Sequence, residues 1–309
     1  MSIEANLWTF HGRDVVDFEP GGSLPDPTQS AIRLALRVDG PFSTFSDLWG
    51  EFMSTEGVEN TEALVIGIWG DPEEGMPGSS DQAVPVIVAD ADRLSRLRAL
   101  FFGDISSEES EISWIEQSDV SAFWGAFPAL EEFGIRGGQS LQLGRIKHDR
   151  LRILKVETGG LSGAVVREIA AAELPELEHL EIWLGSDSYG GDSMPADLIP
   201  ILSGNRFPKL VTLALRNCEW ADDLAAIVAH SPILSRIKRL DLSMGTLGDD
   251  GVDSLVASPA IRGLEHLNIA HHFVSEAGLA KLAALGIAVN TDDWQDESND
   301  ENRYVAVAE

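Results

Sequence analysis

A short apolar pattern returns along most of this chain, and it constrains the fold more than any other feature: an apolar residue, two others, an apolar residue, one other, an apolar residue. It occupies Leu97, Leu100 and Phe102, then Leu130, Phe133 and Ile135, then Leu151, Leu154 and Val156. It returns at Leu177, Leu180, Ile182; at Leu210, Leu213, Leu215; at Ile237, Leu240, Leu242; and at Leu264, Leu267, Ile269. Ile287 and Val289 read as a truncated last copy. Successive copies start 33, 21, 26, 33, 27 and 27 residues apart. The alternation closing each copy places apolar side chains on one face and polar ones on the other, which is a short strand. Pro128-Ala129-Leu130, Pro175-Glu176-Leu177 and Pro208-Lys209-Leu210 set a proline two residues before the first leucine. Proline cannot continue a helix, so it stops the preceding element.

Helical periodicity lies between the strands. Val165, Val166 and Ile169 share one face of 162–172, Leu224, Ile227 and Val228 one face of 222–230, and Leu279 and Leu282 one face of 276–284 behind Ser275 as N-cap. Val252, Leu255 and Val256 do the same in 249–257, with Asp249 or Asp250 as the expected cap, while 194–203 is interrupted by Pro200. Strands joined by helices must run parallel. The pattern resembles the leucine-rich-repeat superfamily, and its 27-residue spacings resemble the ribonuclease-inhibitor-like class. The resemblance implies an α/β fold: a leucine-rich-repeat solenoid, a horseshoe arc with parallel strands on the concave face and helices on the convex face. The slot that usually holds Asn or Cys, three residues past the last strand apolar, holds Ile105, Gly138, Gly159, Gly185, Cys218, Gly245 and His272. Glycine turns are therefore expected in place of an asparagine ladder, with Cys218 as a buried thiol.

Three regions follow: 1–93 as an N-terminal cap with irregular strand–helix units continuous with the sheet, 94–290 as the repeats, and 291–309 as an acidic tail whose end is open between an edge strand and a C-terminal cap. Within the first, Phe10 to Phe18 reads as a hairpin, Ile32 to Val38 and Leu64 to Trp69 as strands, and Phe42 to Met53 as a helix carrying Phe45, Leu48, Trp49 and Phe52. Val84 to Val88 is open between a further strand and the lead-in to a helix. Residues 70–83 have loop composition, and 291–302 carry six acidic residues before an alternating end at 303–309. The N-terminal segment, Trp69-Gly70 and Tyr304-Val305-Ala306-Val307-Ala308-Glu309 together resemble one uncharacterised bacterial family of cytosolic leucine-rich-repeat proteins. That resemblance spans the chain, brings no catalytic residues, and implies a role beside the radical-SAM and sulfatase-like proteins encoded near its members.

Lys and Arg number 22 against 51 Asp and Glu, a net charge of −29. Such a surface repels nucleic-acid phosphates and anionic lipid, so neither nucleic acid nor membrane is an expected partner, and a partner with a basic surface is. A lone cysteine, no signal-like start and no apolar run near the ~20 residues of a membrane helix make cytoplasm the expected location. Phosphate-loop, nucleophile-elbow, Cys-x-x-Cys and His-Glu-x-x-His motifs are missing, so no enzyme activity and no cofactor is expected. Strand residues between the apolar ones point to the concave face, where solenoids bind. That stripe runs Ala99 and Phe101, Glu132 and Gly134, Ile153 and Lys155, His179 and Glu181, Thr212 and Ala214, Arg239 and Asp241, His266 and Asn268, with Arg136, Glu157, Trp183, Arg216 and Ser243 one step on. The expected partner-binding set is Arg136, Lys155, Glu157, His179, Glu181, Trp183, Arg216, Arg239, Asp241 and His266, with Trp183 and the arginines as hot-spot types. The alternative is a metal-dependent enzyme or accessory factor centred on His266, His271 and His272 or on the oxygen-rich loop Asp187–Asp192.

Overall fold

His11 and Gly12 both take positive φ, 52° and 69°. That is the backbone of a two-residue hairpin turn whose twist suits the flanking strands. It joins β1 (Thr9–Phe10) to β2 (Arg13–Asp17) in antiparallel register. A computed structural model gives the fold and describes residues 5–70, 77–296 and 303–308. The loop read at 70–83 and the acidic run at 291–302 therefore fall partly, at 71–76 and 297–302, outside the described residues. The chain divides into two compact units, 2–157 and 158–308.

In the first unit β2 pairs in parallel with β3 (Ala31–Leu34), and β4 (Ala63–Ile66), β5 (Ala99–Phe102), β6 (Glu132–Arg136) and β7 (Ile153–Glu157) follow in chain order, all parallel. Helix α1 (Phe45–Ser54) starts at Thr44, whose hydroxyl oxygen accepts from Asp47 N–H and donates to the Asp47 carboxylate. Val84 to Val88 forms neither strand nor lead-in but helix α2 (Val84–Ala89). Pro85 sits in its first turn, where the missing N–H costs nothing. After α3 (Ala122–Ala126) the 21-residue spacing leaves room only for extended chain, pinned by bridges Glu116–Gln139 and Asp119–Gln142. Leu34, Ile66, Phe102, Ile135 and Val156 stand in register and are buried; Trp69 stacks on Phe102 at 5.0 Å, and Phe123 of α3 meets the same ring edge-on at 5.4 Å.

The second unit holds α4 (Gly163–Ala171), β8 (His179–Gly185), α5 (Pro195–Leu202), β9 (Thr212–Cys218) and α6 (Ala221–Ala229). It continues through β10 (Arg239–Asp241), α7 (Asp249–Ala257), β11 (His266–Asn268), α8 (Glu276–Ala283) and β12 (Ala288–Asn290). The five strands are parallel, with Leu180, Leu213, Leu240, Leu267 and Val289 in one register row. This is the repeat read from the sequence, truncated copy included. Ser275 caps α8 as expected, accepting from Gly278 N–H at 3.1 Å. Asp249 does not cap α7, whose N-cap is Gly248; its carboxylate instead accepts from Ser275 N–H and Oγ–H, tying one repeat to the next.

The turns leaving the strands carry a feature the pattern did not announce. Asn217, Met244 and His271, each two residues past the last strand apolar, adopt positive φ of 55°, 69° and 59°. Three consecutive repeats thus turn left-handed on residues other than glycine. The described tail, 303–308, is not an edge strand; it crosses these three turns. Ala306 N–H donates to Met244 O at 2.8 Å, Val307 N–H to Asn217 Oδ1 at 3.0 Å, and a His271 ring nitrogen lies 3.1 Å from Tyr304 O. Val305, Ala306 and Val307 are buried there.

Candidate functional site

Alternation on β8–β11 sends Leu180, Leu213, Leu240 and Leu267 into the core under the helices, so their neighbours stand on the opposite, helix-free face. Register aligns these neighbours into rows. His179, Thr212, Arg239, His266 and Ala288 form one, and Glu181, Ala214, Asp241, Asn268 and Asn290 a second. Arg239 is exposed, and His179, Thr212, Asp241, His266 and Asn268 are half-buried. Trp183 and Arg216 pair one step further along.

Trp183 departs from its expected role. It is only 6% exposed. The Arg216 guanidinium covers its ring at 5.2 Å, and its Nε1–H donates to Glu181 Oε1 at 2.8 Å. Glu181 also accepts from Arg216 at 2.7 Å and bonds His179 at 3.3 Å. Burial raises the Glu181 carboxyl's pKa, but the bonds from His179, Arg216 and Trp183 outweigh it and hold the group far below the usual carboxylate range. Arg216 Nε–H donates on to Ser243 Oγ at 3.0 Å, and Asn268 donates to Asp241 at 2.8 Å. Glu181, Trp183 and Arg216 therefore form a braced polar floor, and His179, Arg239, Asp241 and His266 keep solvent exposure on the same face.

In the first unit the same face is covered. Leu7 and Phe10 lie over Ala31, Ala63, Ala99, Val65 and Phe101. Three alanines in register make a flat bed for the Phe10 ring, which meets Phe101 edge-on at 5.9 Å. Phe101 in turn lies over Gly134, where any Cβ would strike the ring. Ala99, Phe101 and Gly134 are thus core here, although the strand pattern puts them on the binding stripe. Arg136, expected on that stripe, is buried, 3% exposed: it stacks on Phe101 at 5.4 Å and bonds Glu157 at 2.9 Å and Ile105 O at 2.9 Å. It and Arg33 flank Asp104, which also accepts from Leu7 N–H at 3.1 Å. Burial pushes the Asp104 carboxyl up in spite of both guanidinium groups. Lys155 pairs with Glu132 at 3.2 Å, and His11 holds the other Glu132 oxygen at 3.1 Å. Sequence reading missed Asp104 and His11, because neither stands on the outward strand stripe: Asp104 lies in the turn two residues past Phe102, and His11 lies ahead of the repeats.

The metal alternative gains no support. Among the described residues no group of three or more His, Cys, Asp or Glu is placed to hold a metal ion. His272 accepts from Val274 N–H and bonds Thr291 O, and burial lowers its pKa. His271 bonds Asp293 and Tyr304 O, while His266 stands apart on the sheet face. In the 187–192 loop, Asp192 accepts from Gly163 N–H at the start of α4, and Asp187 N–H donates to Glu219. These contacts join neighbouring repeats.

No family model matches the chain, and neither does any curated protein. Among solved structures, a Bacteroides fragilis protein from a structural genomics programme is 28% identical, with a TM-score of 0.80 over 89% of this chain and 76% of that one. An internalin from Listeria monocytogenes is 15% identical, with a TM-score of 0.43 over 87% of this chain and 62% of that one. No helix among the described residues is long and apolar enough to cross a membrane. Short parallel strands recurring on a leucine frame, each returning through a helix or a short extended link, give this chain a leucine-rich-repeat fold.

Proposed function

We propose that the chain is a non-catalytic protein-interaction scaffold that binds its partner on the helix-free sheet face of residues 158–308. One observation carries the reading. The equivalent face of the first unit is covered by the chain's own Leu7 and Phe10, whereas His179, Arg239, Asp241 and His266 keep solvent exposure on adjacent strands. A braced floor beneath them lowers the entropy cost of presenting those side chains. The −29 charge draws a basic partner at long range, and Asp241 offers it a carboxylate on arrival. A single buried thiol, Cys218, suits the reducing cytoplasm.

The test is capture of partners from the native host with wild type and with the double variant Arg239→Glu/His266→Glu. Both residues lie outside the braced floor, so melting behaviour should be unchanged while the specific partner is lost. Retention of every wild-type partner by the double variant removes the assignment. Variants at Trp183 or Arg216 are poor probes, since they break the floor itself.

A further inference from the structure

The sheet ends at β12, which pairs with β11 on one side and with no described strand on the other. Ile269 N–H donates to Asn290 O, so Asn290 turns its backbone toward β11. By alternation Val289 turns its N–H and C=O to the open edge. Open edges are usually blunted by lysine or proline. Ile287-Ala288-Val289-Asn290-Thr291 has neither, and it carries no charge in a chain of net −29. A terminal repeat normally closes its apolar layer with a polar outer face. Here Leu279, Ile287 and Val289 are half-buried, and Trp294 is 54% exposed.

Charge says what fits this edge. At the N-terminal end of β12, the exposed Arg262 donates to Ala284 O at 3.2 Å and Leu285 O at 2.8 Å, and no described carboxylate pairs with it. At the C-terminal end, the exposed Asp292 carboxylate has no described cation beside it. One edge therefore carries an unmatched cation at one end and an unmatched anion at the other. An antiparallel copy of the same edge matches both. With a two-fold axis at Val289, Asp292 of each copy falls opposite Gly286 of the other, at the end that holds Arg262.

We infer that β12 is the interface of a homodimer, with a second copy of this chain paired antiparallel to it. Val289 N–H of each copy donates to Val289 O of the other, Asp292 of each faces Arg262 of the other, and the half-buried apolar layer is covered. Such an interface is self-complementary, as two-fold symmetry requires. It lies on the edge of the sheet, whereas the partner is placed on the face, so either reading can fail without the other.

Sedimentation equilibrium of the full chain, from micromolar to submillimolar concentration, tests the inference. Physiological salt is used, where repulsion between two acidic chains is screened. A monomer–dimer equilibrium is expected. Ala288→Glu, at an exposed edge position, sets two new carboxylates about the axis and should weaken dimerisation by about tenfold or more. Val289→Pro removes an N–H that the pairing with β11 does not use, and should leave monomer alone with circular dichroism unchanged. Ala288→Glu keeps the test decisive if Val289→Pro unfolds. Arg239→Glu, on the sheet face, should dimerise like wild type. Cys218 is buried, so a spin label attaches only at Ala288→Cys, and in the dimer it should couple at short range to its counterpart. A monomer at every concentration, a dimer that both edge variants leave intact, or a dimer without that coupling overturns the inference.

Discussion

Glu181 shows how one side chain can hold a surface in shape. It takes bonds from Trp183, Arg216 and His179 while almost excluded from water. Replacing it by glutamine leaves Arg216 without a full counter-charge, so Glu181→Gln should lower unfolding free energy by about 2 kcal/mol, below the value for a fully buried pair because Arg216 is partly solvated. Its native pKa lies below the unfolded one. The stabilisation is thus complete at neutral pH and fades as pH falls through and below the ordinary glutamate range. Denaturant titrations of wild type and variant should converge under acid conditions; a constant gap would contradict this. His272 carries the same sign one range higher, since its native pKa is also lowered. As pH drops through the ordinary histidine range, the unfolded chain takes up a proton the native state resists, and stability falls. His272→Gln should flatten that limb of the stability–pH curve. Asn217 gives a third case. It is fully buried, bonding Thr158 O and both backbone groups of Val307. Asn217→Ala should cost about 2 kcal/mol in denaturant unfolding and expose 303–308 to limited proteolysis. Sequence reading could not find this residue, because it sits one place before the ladder slot and owes its role to Val307, 90 residues further along the chain.

At the scale of elements, the leucine frame was legible because its period alone dictates strands and the face they bury. Leu180, Leu213, Leu240 and Leu267 could be placed in one row before any coordinates. What covers the other face was not legible, since a strand residue's outward direction says nothing about a remote segment lying on it. Phe101 and Arg136 fit the stripe by register and are core by burial, because the β1–β2 hairpin brings Phe10 across three alanines. Phe10→Ala should therefore cost about 3 kcal/mol, a core-sized loss for a residue outside the repeats, read by thermal or denaturant unfolding. A cost near zero would mean the N-terminal segment does not hold that face. Val84 to Val88 misled in another way: an apolar run reads equally as strand or helix, and Pro85 in a first turn settles it as helix.

On the scale of the whole molecule, the proposed function rests on which sheet face each unit leaves open. The first unit keeps a cleft next to its covering segment, and the second presents His179, Arg239, Asp241 and His266 on a braced sheet. Repeat proteins gain binding surface by adding rows, so a partner spanning β8 to β11 would meet four strands at once. With −29 charges on the chain, association should slow several-fold between low and physiological salt if a basic partner is steered in, which stopped-flow kinetics can follow. The direct test of the central claim is hydroxyl-radical footprinting of the chain alone and in complex with its captured partner. Oxidation of His179 and His266 should fall on binding, while Met194 and His230, on the helix side, should be modified as before. Protection of Met194 and His230 with His179 and His266 unchanged would place the partner on the helices and contradict the account.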